Sequence, residues 1–250
     1  MGCTRCMKKA ESRSSGYSIK PNILLPGQQD YTFGHITTIF LRDPRYPRLL
    51  REIPDPPAVL YVRGKGSKIN LEKTIAVVGT RHVTAYGHDV TKKLVTDLVK
   101  RGYTIVSGLA LGVDAVAHEA AIAAGGKTVA VLGCGIDIIA PPRNATLYWD
   151  IIAGNGAVVS EIGPGIITDK KRFVTRNRII SGLSLGVLVI EGGEQSGTLI
   201  TAKYAGEQGR EVFAVPGAIT SKYSRATAIL LKNGAKLVES ADDIIEELTL

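Results

Sequence analysis

Residues 170–178 read KKRFVTRNR, which places Lys170, Lys171, Arg172, Arg176 and Arg178 around a single aromatic residue, Phe173. Cations bind phosphate oxygens, and a flat ring offers a face on which an unpaired base can stack. Interleaving the two makes a surface suited to a single-stranded polyanion. A solvated basic turn has the same composition. So does a pair of buried arginines neutralised by carboxylates such as Glu161 or Glu191. Both uses are expected here. Some of the arginines hold the surrounding loops, while Lys170, Arg172 and Phe173 are freer to meet a ligand. Arg176, Asn177 and Arg178 stay within the expected phosphate-binding set.

Other stretches carry weaker chemical signals. In VVGTRHVTAYG (77–87), Gly79, Thr80 and Arg81 follow an apolar run and precede an amphipathic one. An amide, a hydroxyl and a guanidinium there can share one phosphate. The stretch is not the G-x-G-x-x-G of dinucleotide binding. Thr84 is placed to cap the helix that follows. In SGLALGVDAVAHEAAI (107–122), Ser107 and Gly108 end a strand. Asp114 and His118, four residues apart, share a helical face, as a catalytic dyad or, preferably, a structural pair. In EGGEQSGTLITAKYAGEQG (191–209), Ser196, Gly197 and Thr198 open a helix and suit a phosphate, but no Gly-Lys-Ser/Thr follows and the segment is not a P-loop.

These residues need elements to bring them together. From Thr74 onward, apolar runs ending in small residues alternate with amphipathic stretches: 74–79, 103–108, 128–133, 156–161, 186–193 and 211–217 as strands, and 85–101, 113–124, 144–154, 176–184, 197–208, 224–232 and 240–248 as helices. Runs apolar on both faces, alternating with helices, indicate an α/β fold with a mostly parallel sheet covered on both sides. Parallel strands direct all their C-terminal ends to one edge, where ligands bind. The small-residue peptides named above all fall at that edge. AVLYV (58–62), inside the proline-rich segment 41–66, reads as a further short strand. Residues 1–40 read as a poorly ordered basic extension, and residues 41–250 as the folded domain.

The totals exclude several classes. The chain has 250 residues, 44% of them apolar, enough for a buried core. No apolar run reaches the roughly 18 residues of a spanning helix, and the polar start has no signal-peptide core. No membrane association is expected. Cys3, Cys6 and Cys134 do not form a disulfide framework, which favours a reducing cytoplasm. Cys3 and Cys6 have metal-ligand spacing but no second pair, so no metal is expected, and no cofactor. The net charge of +8 favours anionic partners, although Arg5, Lys8, Lys9, Arg13 and Lys20 in the extension supply part of it.

Taken in order, YPRLLREIPDPPAVLYVRG, VVGTRHVTAYG, SGLALGVDAVAH, GKTVAVLGCGID, GAVVSEI, FVTRNRIISGLS, EGGEQSGTLITAKYAGEQGREVFAVPG and LLKNGAKLV resemble the DNA-processing protein A (Smf) family over about residues 41–240. The resemblance implies an extended Rossmann-like domain that binds single-stranded DNA as a homodimer. It implies a role in placing a RecA-type recombinase on incoming strands during natural transformation, with no catalytic residues. It carries the family's phosphate-binding turn onto Gly79, Thr80 and Arg81, its lysine onto Lys170, its base-stacking aromatic onto Phe173 and its Arg-Asn-Arg piece onto Arg176, Asn177 and Arg178. Val174 stands where the family has proline, Pro141-Pro142 where it has Tyr-Pro, and Ala226 and Ala228 where it has glycine and asparagine. The helical domain expected before Tyr46 and the winged helix expected after residue 250 have no counterpart in the stretch read here. Ile229, Leu230 and Leu231, three apolar residues in a row, cannot all face one core and are expected at the dimer interface. The rival from another class is a nucleoside-monophosphate phosphoribohydrolase of the lysine decarboxylase-like group. Its P-G-G-x-G-T-x-x-E turn is only partly matched by Glu191 to Lys203, which lacks the proline and the trailing glutamate.

Overall fold

Ile75 and Val77 point to one side of their strand and Ala76 and Val78 to the other, and all four are buried. Burial of both faces defines the sheet to which this strand belongs. The computed structural model describes residues 35–65, 71–167 and 169–249. Nine strands join in one sheet: β1 (Thr37–Phe40), β2 (Val59–Gly64), β3 (Thr74–Val78), β4 (Thr104–Ser107), β5 (Thr128–Val131), β6 (Ala157–Ser160), β7 (Gly186–Val189), β8 (Glu211–Ala214) and β9 (Lys236–Leu237). Their order is β1-β2-β6-β5-β4-β3-β7-β8-β9. The pairs β1–β2 and β2–β6 are antiparallel and the others are parallel.

The helices are α1 (Arg48–Arg51), α2 (Ala85–Lys100), α3 (Val113–Ala123), α4 (Ala145–Ala153), α5 (Lys170–Thr175), α6 (Asn177–Gly182), α7 (Gly197–Glu207), α8 (Arg225–Lys232) and α9 (Ala241–Thr249). Leu94 and Leu98 of α2, Ala117 and Ala121 of α3 and Ile244 of α9 cover Ile75, Val77, Ile105 and Leu188. Leu50, next to Ile179 and Ile180 of α6 and Ala202 of α7, covers Ala76, Val78, Val129 and Val187 on the opposite face. Leu147, Tyr148 and Ile151 of α4 pack with Ala130, Leu132 and Val158 in a third cluster. The fold is therefore α/β and Rossmann-like, as its alternating runs indicate. The strand order reverses between β3 and β7, the position where a crevice opens in folds of this kind.

Two expectations change. The extension assigned to residues 1–40 lies outside the described residues up to 34, including the Cys3–Cys6 pair, and its last four residues form β1. Thr37–Phe40 is too short and too exposed to show a strand period, and β2 supplies its pairing. The basic knot, expected partly as a turn before one helix at 176–184, is itself helical. It forms α5, which breaks at Arg176 and continues as α6.

His118 is fully buried on α3, and its Nδ1 lies 2.7 Å from Thr128 Oγ1. That hydroxyl donates its hydrogen to the Ile105 carbonyl at 3.0 Å, so Nδ1 must carry the proton. Nε2 is left without a partner among the described residues. The expected pairing with Asp114 does not form, because Asp114 turns to backbone amides. Burial pushes the imidazole down to about 3, and the positive charge of Arg176 acts in the same direction. A depressed histidine stabilises the fold fully above its ordinary value of 6.5 and loses that contribution as the pH falls toward about 3. His118→Gln removes this titration. Between pH 6.5 and 5, urea unfolding of parent and variant should converge by up to about 1.4 kcal/mol per pH unit. A pH-independent difference would contradict a buried neutral histidine.

Candidate nucleic-acid interface

The loop after β4, Ser107-Gly108-Leu109-Ala110, is held from three directions. Leu109 has φ of 56°, the left-handed region that a branched side chain rarely occupies. The Asp114 carboxylate, in the first turn of α3, accepts from the amides of Gly108 at 3.1 Å and Ala110 at 3.3 Å. Asn144 Nδ2, ahead of α4, donates to the carbonyls of Leu109 at 2.9 Å and Ala110 at 3.1 Å. Arg176 Nη1 donates to the Gly108 carbonyl at 2.6 Å and to that of Val131. Asp114 and Arg176 are both buried and attract each other across the loop. A strained residue persists where its surroundings over-determine it.

This arrangement corrects part of the expected phosphate-binding set. Arg176 is a buried tie between β4, β5 and α6 and has no open face. Ser107 is fully buried and donates to the Val77 carbonyl at 2.7 Å. The Gly108 amide is taken by Asp114. Arg178 is also buried: its guanidinium grips Glu161 at 2.8 and 3.2 Å and Asp55 at 2.9 Å. Asn177 sits half-buried between the two arginines at the start of α6. Glycine at 108 is required because a Cβ there would run into the Arg176 guanidinium.

The crevice between β3 and β7 is filled in the same way. Glu191, buried after β7, accepts from the Thr84 hydroxyl at 2.6 Å and the Thr84 amide at 3.1 Å. Thr84 Oγ1 in turn caps α2 by accepting from the Gly87 amide at 3.1 Å. A carboxylate thus occupies the α2 N-terminus, which would otherwise attract an anion. The Thr80 amide donates to the Glu191 carbonyl at 2.8 Å, and the largely buried Thr80 hydroxyl accepts from His82 at 3.1 Å. Val113 occupies the space beside Gly79. Ser196 caps α7 through the Thr198 amide at 3.2 Å and shares a hydrogen bond with the Thr198 hydroxyl at 2.7 Å. Of Ser196, Gly197 and Thr198, only Gly197 is exposed. Glycine at 79 and 192 serves close packing, whereas a Cβ on Gly193 or Gly197 would meet open space.

Arg81, Lys170, Lys171 and Arg172 are all exposed, and among the described residues none forms an ion pair. Asp169 caps α5 by accepting from the Arg172 amide at 3.1 Å. Phe173 is half-buried. Its ring rests on Gly133, where a Cβ would lie 2.8 Å from Cδ1, and it joins the apolar cluster around Leu132. This corrects the expectation of a free platform: one part of the ring is anchored in the fold and the rest is open. The Arg81 backbone lies against Gly112, and its charge acts on Arg176. The geometry gathers four free cations and part of an aromatic face on the rim formed by the ends of β3, β4 and β5. Asn144 and Gly133 carry no local signal as supports, because their partners lie far away in sequence, and Glu191, expected as a possible partner of the buried arginines, pairs with Thr84 instead. Among the described residues, no group of three or more His, Cys, Asp or Glu side chains is placed to hold a metal ion.

Known proteins match most of the chain. The chain is 46% identical over 213 residues to DNA processing protein DprA of Bacillus subtilis, covering 85% of this chain and 71% of that protein. It is 44% identical to protein Smf of Synechocystis over 82% of this chain and 52% of the relative, so it spans about half of that longer protein. The crystal structure of DprA from Streptococcus pneumoniae superposes with a TM-score of 0.80 at 41% identity, over 86% of this chain and 75% of that one. DprA from Helicobacter pylori, a structure described for its single-stranded DNA binding mode, gives a TM-score of 0.76 at 30% identity, over 86% and 96%. With residues 37–249 matching the family as a whole, the chain belongs to the DNA recombination-mediator protein A family.

Proposed function

We propose that this chain is a non-enzymatic binder of single-stranded DNA that captures phosphates on the rim beside α5. The observation that carries the reading is the set of exposed, unpaired cations Arg81, Lys170, Lys171 and Arg172 around the open part of Phe173. Phosphates settle on the cations while an unpaired base lies on the ring. A duplex hides its base faces and gains only the phosphate contacts. Of the expected set, Arg81, Lys170, Arg172 and Phe173 keep a direct role in this proposal, with Lys171 added, and Gly197 at the α7 N-terminus stays outside it. Gly79, Thr80, Ser107, Gly108, Arg176, Asn177, Arg178, Ser196 and Thr198 build the scaffold. Family membership supports the finer part of the reading: protection of incoming strands and loading of a RecA-type recombinase in the cytoplasm during natural transformation.

The phosphoribohydrolase alternative has less support. It requires a carboxylate poised beside a sugar, whereas Asp114 and Glu191, the buried carboxylates at the strand ends, are held by amides and hydroxyls of the fold. Release of ribose 5-phosphate from AMP would revive it.

We also infer a homodimer through α8. Leu230 packs inward on the core, which removes it from the expected interface. Leu231 lines a shallow apolar depression with Pro216, Ala228 and Ile219, the last 96% exposed, and Leu237 on the edge strand β9 is exposed as well. Ile229, Leu231 and Ile219 are the residues assigned to the contact. Light scattering at micromolar concentration should give twice the chain mass, and Leu231→Asp should return the monomer. A parent protein that stays monomeric would remove this inference.

Binding titrations should show single strands ahead of duplex, with log affinity falling against log salt by about 0.7 per phosphate neutralised. Arg81→Ala and Lys170→Ala should each weaken binding while changing folding stability by less than about 0.5 kcal/mol. Arg176→Ala should instead cost about 3–5 kcal/mol of stability, because it strands a buried carboxylate and two carbonyls. Equal affinity for duplex and single strand, or unchanged affinity in both exposed-cation variants, would contradict the proposal.

A further inference from the structure

Ile166 and Ile167 precede α5 and are 49% and 76% exposed. Neither is left out by a slack backbone. The Gly135 amide donates to the Ile166 carbonyl at 2.9 Å, and Asp137 Oδ1 accepts from the Gly165 amide at 2.8 Å. A Cβ on Gly135 would lie 3.0 Å from the Ile166 nitrogen, so the segment rests directly on that glycine. Gly133, two residues earlier, carries the Phe173 ring. The isoleucine pair and the aromatic therefore lie side by side on the loop that follows β5. Lys170, Lys171 and Arg172 follow after Thr168 and Asp169.

An anchored loop that shows two branched apolar side chains to water keeps an unfavourable exposure that a partner can relieve. The flanking cations select an anionic partner, and an isoleucine offers nothing to a phosphate. A partner that is anionic along its backbone and apolar on its faces is a strand of unpaired bases. We propose that Ile166 and Ile167 form a second base-contacting surface, which extends the Phe173 face to a neighbouring nucleotide. This inference rests on the single-strand reading above. It also names a source of discrimination against duplex, since stacked and paired bases expose no face to an isoleucine.

The test is an Ile166→Ser, Ile167→Ser double variant titrated with an oligothymidylate and with an abasic strand of the same length. Binding to the oligothymidylate should weaken about tenfold. Affinity for the abasic strand, the salt slope and the melting temperature should match the parent. Equal weakening on both strands, or no weakening on either, overturns the inference. So does a change of mass in light scattering with oligothymidylate affinity intact, which would assign the patch to a second copy of the chain. Arg81→Ala serves as the control. If both it and Lys170→Ala bind like the parent, the single-strand reading itself falls; if either is weakened and the isoleucine variant is not, only this inference falls. Should the double variant melt early, the single Ile167→Ser variant at the more exposed position is read by the same criteria.

Discussion

The carboxylate of Asp114 and the guanidinium of Arg176 close on the same four-residue loop from opposite sides, and the rim depends on that closure. One holds the loop's amides and the other its carbonyl. Burying either charge alone would cost several kcal/mol, but their mutual attraction and the hydrogen bonds each makes to the loop offset part of that cost, although Arg176 Nε has no partner among the described residues. Because Arg176 also reaches the end of β5, the tie fixes where α5 begins and ends over the sheet. Lys170, Arg172 and Phe173 take their positions from it. Arg81 is exposed to solvent, and its charge also acts on Arg176.

The same logic explains why the crevice between β3 and β7 is closed. In many folds of this topology, a helix N-terminus there receives a phosphate. Here Glu191 supplies the negative charge from within the chain and caps α2 through Thr84. On the proposed reading, anion binding therefore moves outward, from enclosed amides to long exposed side chains. Such a site is shallow, depends on salt and tolerates sequence, as a strand of unspecified length requires. An enclosed crevice would instead suit a single small nucleotide.

Sequence patterns carried the architecture well. The runs that became β3 to β8 are apolar on both faces and long enough to show it, and Thr84 and Ser196 cap the helices they precede. Strands β1 and β9 escaped because their largely exposed residues form no apolar run, and they draw their stability from neighbours. At the site, the exposed cations were legible because charge clustering is local. The pairing of Arg178 with Glu161 was among the expected structural uses, but the partners Val131, Gly108 and Asp55 were not legible, since they lie 45, 68 and 123 residues away from the two arginines. Nor does any local signal mark Leu109 as left-handed, because the cause is the surrounding clamp and not the residue.

The central claim is that strands lie along α5 and the loop before it, and not in the crevice between β3 and β7. Photocrosslinking with a strand carrying 5-iodouracil, followed by peptide mapping, reads this directly. The account predicts that crosslinks concentrate in residues 166–175, with Phe173 the main aromatic site. Crosslinks concentrated instead at residues 191–198 or on Tyr86, with none in 166–175, would contradict it.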